Sequence, residues 1–414
     1  MIPQGSQTYV LRAGAMLRKI AVSDLTLGMY IHEFCRPRLH DPFWTQNVER
    51  ELCDEAVLQR IKASIREVWI DTRRGRGPDE RATILAEACS IPYKPDTEPS
   101  SLDEELIRAK AICGRAKAAV MTMFTDARMG RAMNAEDVDL LVEEISASVM
   151  RHPHALISLS RLKTSDEYTY MHSVAVCALM VALARQMEMS EEQVREAGVA
   201  GLMHDVGKMM IPAAILNKPD RLTLEEYEAM KHHPEAGLKI LQDTQQTTPA
   251  VMDVCLHHHE KIDGSGYPHG LKGEAISLFS RMGAICDVYD AVTSDRPYKK
   301  GWDAAQSIRE MASWKGHFDE TIFQHFVKTV GIYPVGTLVR LKSERLGVVM
   351  EQGEKSLLHP KVKVVLSTRT RLPCAPKVID LAHADEEDAI VKCELAADWG
   401  LRDIEKLWAG EAWV

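Results

Sequence analysis

The sequence predicts a multidomain, mainly α protein, with an all-α helical bundle between a small N-terminal β-containing domain and a small C-terminal β module. Three observations predict it. From about 102 to 330 the apolar residues recur at helical spacing, with no strand alternation. Short apolar or alternating runs bounded by turn residues lie on both sides of that region. Two turn-rich segments, Arg73 to Glu80 and Ile91 to Ser101, set the first of these runs apart from the helices. The division that follows is a unit at 1–75, a linker at 76–101, a helical domain at 102–332 and a β-rich module at 333–414.

In the N-terminal unit, Leu27-Gly28-Met29-Tyr30-Ile31 and Val68-Trp69-Ile70-Asp71 read as strands, with a helix near 50–66. In the bundle, Asn134 reads as an N-cap, and Val138, Leu141, Val142, Ile145 and Val149 mark one helix face. Ser190 with Gln193, and Thr223 with Glu226, fit capping boxes. Thr248 before Pro249 fits an N-cap with proline at the first helical position. After Tyr333-Pro334, Thr337 to Leu341, Gly347 to Met350 and Lys361 to Val365 read as strands.

Composition narrows the function. Of the 414 residues 45% are hydrophobic and 27% charged, as in ordinary soluble globular chains. The 51 basic and 60 acidic residues give a formal charge of -9, against a general binder of nucleic-acid polymers or membrane surfaces. The longest apolar stretch, Val174 to Ala184, is too short to span a bilayer. No basic start followed by an apolar run opens the chain, so a cytoplasmic location is expected. Nine cysteines are dispersed with no CxxC, which fits reduced thiols.

Chemistry concentrates in the helical region, where most of the 16 histidines cluster. His172 opens an apolar run. His204-Asp205 precedes Val206-Gly207-Lys208, His232-His233 precedes Pro234, and His257-His258-His259 precedes Glu260. Asp287 and Asp290 lie on Ala284 to Val292. A lone histidine on an apolar face is usually a packed residue. Adjacent imidazoles and a carboxylate are different, because each needs a partner once buried. Several such groups converging from different helices suit a metal site, and the donor types favour transition metals over calcium or magnesium. Two metals about 3.5–4 Å apart can deprotonate a shared water and clamp a phosphoryl oxygen. Lys208, three residues beyond Asp205, is placed to offset phosphate charge. Asp263-Gly264-Ser265-Gly266-Tyr267-Pro268 reads as a loop beside the metals. The run Asp295-Arg296-Pro297-Tyr298-Lys299-Lys300 reads as a phosphate clamp.

These residues resemble the HD-GYP subfamily of HD-domain phosphohydrolases. The matching stretches are YTYMHSVAV, HDVGKMMIPAAILNKPDRLTLEEYEAMKHHPEAG, HHHEKIDGSGYPHGLKGEAI and RMGAICDVYDAVTSDRPYKK, over about 160–330. The segment 18–75 is similar to a domain of unknown function often found ahead of such domains, through LTLGMYI, PFW and VWIDT. The resemblance implies an HD-type bundle with a five-helix core at 102–332 as the catalytic domain, and a regulatory role for the N-terminal unit. It implies hydrolysis of cyclic di-GMP to linear pGpG and GMP, lowering the messenger and so affecting biofilm and motility behaviour. Carried over residue by residue, the metal ligands are His172, His204, Asp205, His233, His258, His259 and Asp287, with Asp205 bridging. Asp205 and Lys208 would be catalytic. Lys208, Gly266, Tyr267, Arg296 and Lys299 would bind substrate. His232 and His257 precede the matched positions and are not expected to be ligands.

One position departs from the pattern. Trinuclear relatives carry a glutamate four residues before the first histidine ligand, where this chain has Tyr168. Glu167 would point about 100° away around a helix. Two divalent transition-metal ions, iron or manganese, are therefore expected. A sensor that binds cyclic di-GMP without turnover would not need seven ligands, and a general nucleotidase would not need the loop and basic run. The expected partners are cyclic di-GMP and pGpG, with a second copy or a regulatory protein as the macromolecular contact. Since every ligand lies between 172 and 287, residues 1–100 are expected to be dispensable for hydrolysis.

Overall fold

The computed structural model describes residues 9–12, 15–22, 25, 29–34, 50–52, 55–64, 67–71, 74, 96–130, 135–161, 168–218, 220–243, 247–295, 300–353, 356–383 and 388–410. The chain divides into two compact units, Met1–Lys94 and Pro95–Val414.

The first unit holds β1 (Tyr9–Arg12), β2 (Ala15–Ala21), β3 (Tyr30–Phe34), β4 (Arg50–Glu51), α1 (Glu55–Ser64) and β5 (Glu67–Asp71). Its strands form an antiparallel sheet in the order β1-β2-β5-β3-β4. Alternate residues of β2, β3 and β5 (Ile20, Ile31, Val68 and Ile70) turn to one face and pack on Leu58 and Ile61 of α1. Of the expected N-terminal strand, Leu27 and Gly28 lie outside the described residues, and pairing runs from Tyr30 to Phe34. Most of the Arg73 to Glu80 segment and the start of the Ile91 to Ser101 segment also lie outside them.

The second unit opens with helices α2 (Leu102–Arg128), α3 (Ala135–Arg151), α4 (Pro153–Ser160), α5 (Tyr168–Gln186) and α6 (Glu191–Met203). Short helices α7 (Ala213–Leu216) and α8 (Leu224–Met230) lead to α9 (His233–Asp243), α10 (Pro249–His257), α11 (Leu278–Thr293), α12 (Ala304–Ser313) and α13 (Glu320–Val330). Helix α5 is apolar all round because it is the centre of the bundle: every residue from Val174 to Ala184 is buried. The expected face of α3, from Val138 to Val149, packs into the same core. The capping boxes at Ser190 and Thr223 and the Thr248 cap form as expected, and Ser101 with Glu104 makes another. Asn134 lies outside the described residues.

A second antiparallel sheet, in the order β10-β6-β7-β8-β9, follows: β6 (Leu338–Leu341), β7 (Arg345–Glu351), β8 (Lys361–Ser367), β9 (Pro373–Asp380) and β10 (Ile390–Cys393), with α14 (Lys406–Ala409) beyond it. In this sheet sequence reading missed β10, and it also missed β9. Its two prolines argue against a strand, yet they are tolerated because β9 is an edge. This sheet shares a core with the bundle, where Leu338, Leu346, Val348 and Trp408 pack with Leu102 and Leu106 of α2 and Ala155 of α4. Among the described cysteines, Cys177, Cys255, Cys286, Cys374 and Cys393 are free thiols. No helix among the described residues is long and apolar enough to cross a membrane.

Candidate metal centre

Close packing of backbone on backbone brings the histidine doublets together. His204 and Asp205 follow the end of α6, and the turn that continues them, Val206–Met210, lies against the start of α9. A Cβ at Gly207 would collide with the carbonyl of His233 and the backbone of Gly237, so only glycine lets the Asp205 turn approach His233. His172 sits in the first turns of α5, His258 and His259 follow α10, and Asp287 is in the middle of α11.

Their donor atoms converge in two halves. His172, His204 and Asp287 form one compact set, and His233, His258 and His259 another. Asp205 lies between them. Its Oδ2 is 3.3 Å from Nε2 of both His172 and His204, while its Oδ1 is 3.4 Å from Nε2 of His233 and 3.7 Å from that of His258. Asp287 Oδ1 is 3.0 Å from His172 Nε2, and its Oδ2 is 3.7 Å from His259 Nδ1. Lys208 Nζ reaches Asp205 Oδ2 at 2.5 Å.

Four imidazoles are anchored at Nδ1 and turn Nε2 inward. His204 Nδ1 donates to the Gly201 carbonyl at 2.8 Å, His233 to that of Met230 at 2.8 Å, and His258 to those of Val254 and Cys255 at 3.0 Å. His172 Nδ1 pairs with Asp290 Oδ2 at 2.6 Å. With Nδ1 donating outward, each ring in its neutral form turns to the centre the nitrogen whose lone pair a metal accepts.

The electrostatics suit divalent cations. Burial holds His233 down to about 3 and His259 to about 4, and with the neighbouring imidazoles it keeps His258 well below the ordinary histidine range. Burial also pulls His204 down, but the Asp205 and Asp287 carboxylates outweigh it and lift the group to about 10. Burial would raise Asp205, yet Lys208 and His204 hold it well below the carboxylate range. Asp205, Asp287 and Asp290 are buried carboxylates, and Lys208 pairs with the first of them. Protonated imidazoles, or metal ions in their place, would offset the negative charge that gathers here. Asp205 Oδ1 is buried with no hydrogen-bond partner among the described residues, turned toward the neutral half of the cluster. The residues fit a metal centre.

The loop after α10 closes over this cluster. A Cβ at Gly266 would strike the backbone of Glu260 and Lys261, so the loop can fold this tightly only with glycine there. That places the Tyr267 ring on His259, with centroids 4.7 Å apart and planes 29° apart. Arg296 and Lys299 lie outside the described residues. The ends of their segment are pinned, with Gly301 N donating to Asp295 Oδ1 at 2.8 Å and Trp302 N to the Val292 carbonyl at 2.8 Å. His232 faces solvent beside Glu235, and His257 pairs with Asp253, so neither joins the cluster.

Sequence reasoning named two supporting residues without giving them a role. Asp290 was visible only as a second aspartate one turn after Asp287. Glu260, buried beside the histidine triplet, accepts from the backbone N–H groups of His269 and Leu271 at 2.8 and 3.0 Å and so shapes the loop that carries Tyr267.

Fold and site together define a helical metallohydrolase centre of the HD type. The HD domain family matches residues 147–322, and a domain of unknown function, DUF3391, matches residues 17–138. The latter match runs past the linker into α2 and α3. A cyclic di-GMP phosphodiesterase of Pseudomonas aeruginosa, PA4108, is 54% identical over 401 residues, covering 96% of this chain and 97% of that one. The cyclic di-GMP phosphodiesterase response regulator RpfG of Xanthomonas campestris is 40% identical over 166 residues, covering 38% of this chain and 43% of that one. Among solved structures, Bd1817, an HDG"Y"P protein from Bdellovibrio bacteriovorus, aligns with a TM-score of 0.47 at 19% identity, over 75% of this chain and 98% of that one. The chain belongs to the HD-GYP subfamily of HD-domain phosphohydrolases, with the DUF3391 domain at its N-terminus.

Proposed function

We propose that this protein is a metal-dependent phosphodiesterase that hydrolyses cyclic di-GMP to linear pGpG and GMP, and so lowers the level of that messenger. The observation that carries the proposal is the placement of Asp205, whose two carboxylate oxygens each face a separate imidazole set. The near full-length similarity to a cyclic di-GMP phosphodiesterase supplies the substrate.

His172, His204 and Asp287 would hold one divalent ion, and His233, His258 and His259 a second, with Asp205 shared. Iron or manganese suits such a nitrogen-rich set. Bound there, the ions supply Lewis acidity toward a phosphoryl oxygen and lower the pKa of water. The chain's own residues do the rest. Lys208, held by Asp205, brings one positive charge to the reacting phosphate. Asp290 keeps the His172 ring in its orientation. Tyr267 and the backbone around Gly266 wall the site, and Arg296 and Lys299 grip the phosphate that does not react. Tyr168, at the position of a third-site carboxylate in trinuclear relatives, supports two ions over three. The N-terminal unit would regulate this activity or contact another copy of the chain.

The test is to measure bound metal and products together on anaerobically purified protein, with cyclic di-GMP, pGpG and dGTP offered separately. The expected result is close to two metals per chain and release of pGpG and GMP from cyclic di-GMP. Metal-loaded protein that binds cyclic di-GMP without cleaving it would be a sensor. Cleavage of dGTP alone would make it a nucleotidase.

A further inference from the structure

Lys231, the residue after α8, carries its ammonium 5.6 Å from the ring centroid of Tyr227 and 5.8 Å from that of Tyr267. Because Tyr267 stacks on His259, the four side chains form a continuous wall leading outward from the histidine cluster: imidazole, phenol, ammonium, phenol. Tyr227 at the outer end is 48% exposed, an open aromatic face beside a metal centre. Lys231 also meets Glu228 Oε1 at 2.8 Å, but Glu228 is mostly exposed, and an exposed ion pair of this kind is weak. A lysine that served only solubility would extend into water. This one lies back over two rings, one of which touches a ligand-type histidine.

Resting on the cyclic di-GMP reading above, we propose that Lys231 selects guanine over adenine in the substrate, and that Tyr227 supplies the face on which the purine stacks. The chemistry is one of donors and acceptors. Guanine presents N7 and O6 as neighbouring acceptors, whereas adenine presents N7 beside an amino donor. An ammonium has three donors and no acceptor. It is satisfied by the guanine edge and meets the adenine amino group donor to donor. Stacking does not discriminate, since every base has a π-face. Discrimination therefore falls to the cation, which the two phenol rings hold in place. A site built to hydrogen-bond one substrate group rejects the analogue that lacks it.

The experiment compares kcat/KM for cyclic di-GMP, 3′3′-cyclic GMP–AMP and cyclic di-AMP on the metal-loaded full chain, in the wild type, Lys231→Met and Lys231→Arg. The wild type is expected to prefer guanine dinucleotides. Lys231→Met should cut that preference by about tenfold or more, mainly through a higher KM for the guanine substrates. Lys231→Arg keeps the donors and should retain most of the preference. Metal content and thermal unfolding are followed in parallel. An equal fall for all three substrates, an unchanged ratio, or loss of metal in Lys231→Met that Lys231→Arg restores would make Lys231 a structural support and overturn the proposal. A metal-loaded wild type that cleaves none of the three would instead reject the phosphodiesterase reading itself. That result is distinct from a wild type that cleaves guanine dinucleotides regardless of residue 231.

Discussion

Four imidazoles of the centre are held at one nitrogen and offered at the other, and the holding groups differ in strength. Three anchors are backbone carbonyls three or four residues before the histidine. The fourth is the Asp290 carboxylate, which reaches His172 from another helix. A charged partner both orients the ring and raises the basicity of its metal-facing nitrogen. Asp290→Asn keeps the size but loses the charge, so metal affinity or turnover should fall by about 10–100-fold. Metal titration alongside turnover measures this, with Asp205→Ala as the reference for losing the carboxylate common to both halves. If Asp290→Asn bound metal and turned over like the wild type, Asp290 would be only a satisfied buried acid.

Among the elements, the decisive contact is the one between the Val206–Met210 turn and α9, where Gly207 lies against His233 and Gly237. It sets the distance between Asp205 and the second imidazole set. The backbone there has no flexible atom to yield, so Gly207→Ala must push the turn and the helix apart. Overpacking of this kind costs about 1–3 kcal/mol, occasionally more. The expected outcome is a lower unfolding midpoint together with weaker metal binding, read by thermal unfolding with and without added metal. Full metal occupancy in Gly207→Ala would mean that the two halves do not depend on this contact. At the far end of the bundle, Arg151 and Ser148 of α3 hold the buried Glu105 of α2 at 2.6–2.9 Å, and Arg151 also donates to the Asp96 carbonyl at 2.5 Å. This network ties residues 96–100 to the helices.

For the whole molecule, that tie moves the boundary at which the N-terminal unit can be removed. A cut after residue 100 would discard Asp96, whose carbonyl accepts from Arg151, whereas a cut after Lys94 keeps the second unit entire. Residues 95–414 should cleave cyclic di-GMP at the full-chain rate when metal occupancy is matched. A folded, metal-loaded truncation that does not cleave would place part of the active site in the N-terminal unit. Removal of residues 333–414 should behave differently. The β module covers Leu102, Leu106 and Ala155, and losing it would open apolar surface on two bundle helices. That truncation is expected to aggregate or melt early, as followed by light scattering and thermal unfolding.

The concentration of candidate ligands in the helical region was legible in the sequence alone, because adjacent imidazoles and carboxylates in a buried helical stretch have few physical justifications other than a cation; their division into two sets was not. The helix starts were legible too, since capping is local chemistry between residues three apart. So was the all-α character of the bundle, which periodicity along the chain carries. The tertiary structure alone decided which partner orients which ring. Asp290 and His172 are 118 residues apart, and no local pattern connects them. It also revealed the backbone approach at Gly207, a property of two segments that meet only after folding. The shared core between the β module and α2 and the tolerance of prolines in β9 were likewise settled by neighbours in space. Local chemistry is written along the chain, whereas orientation and closeness arise from packing between distant segments.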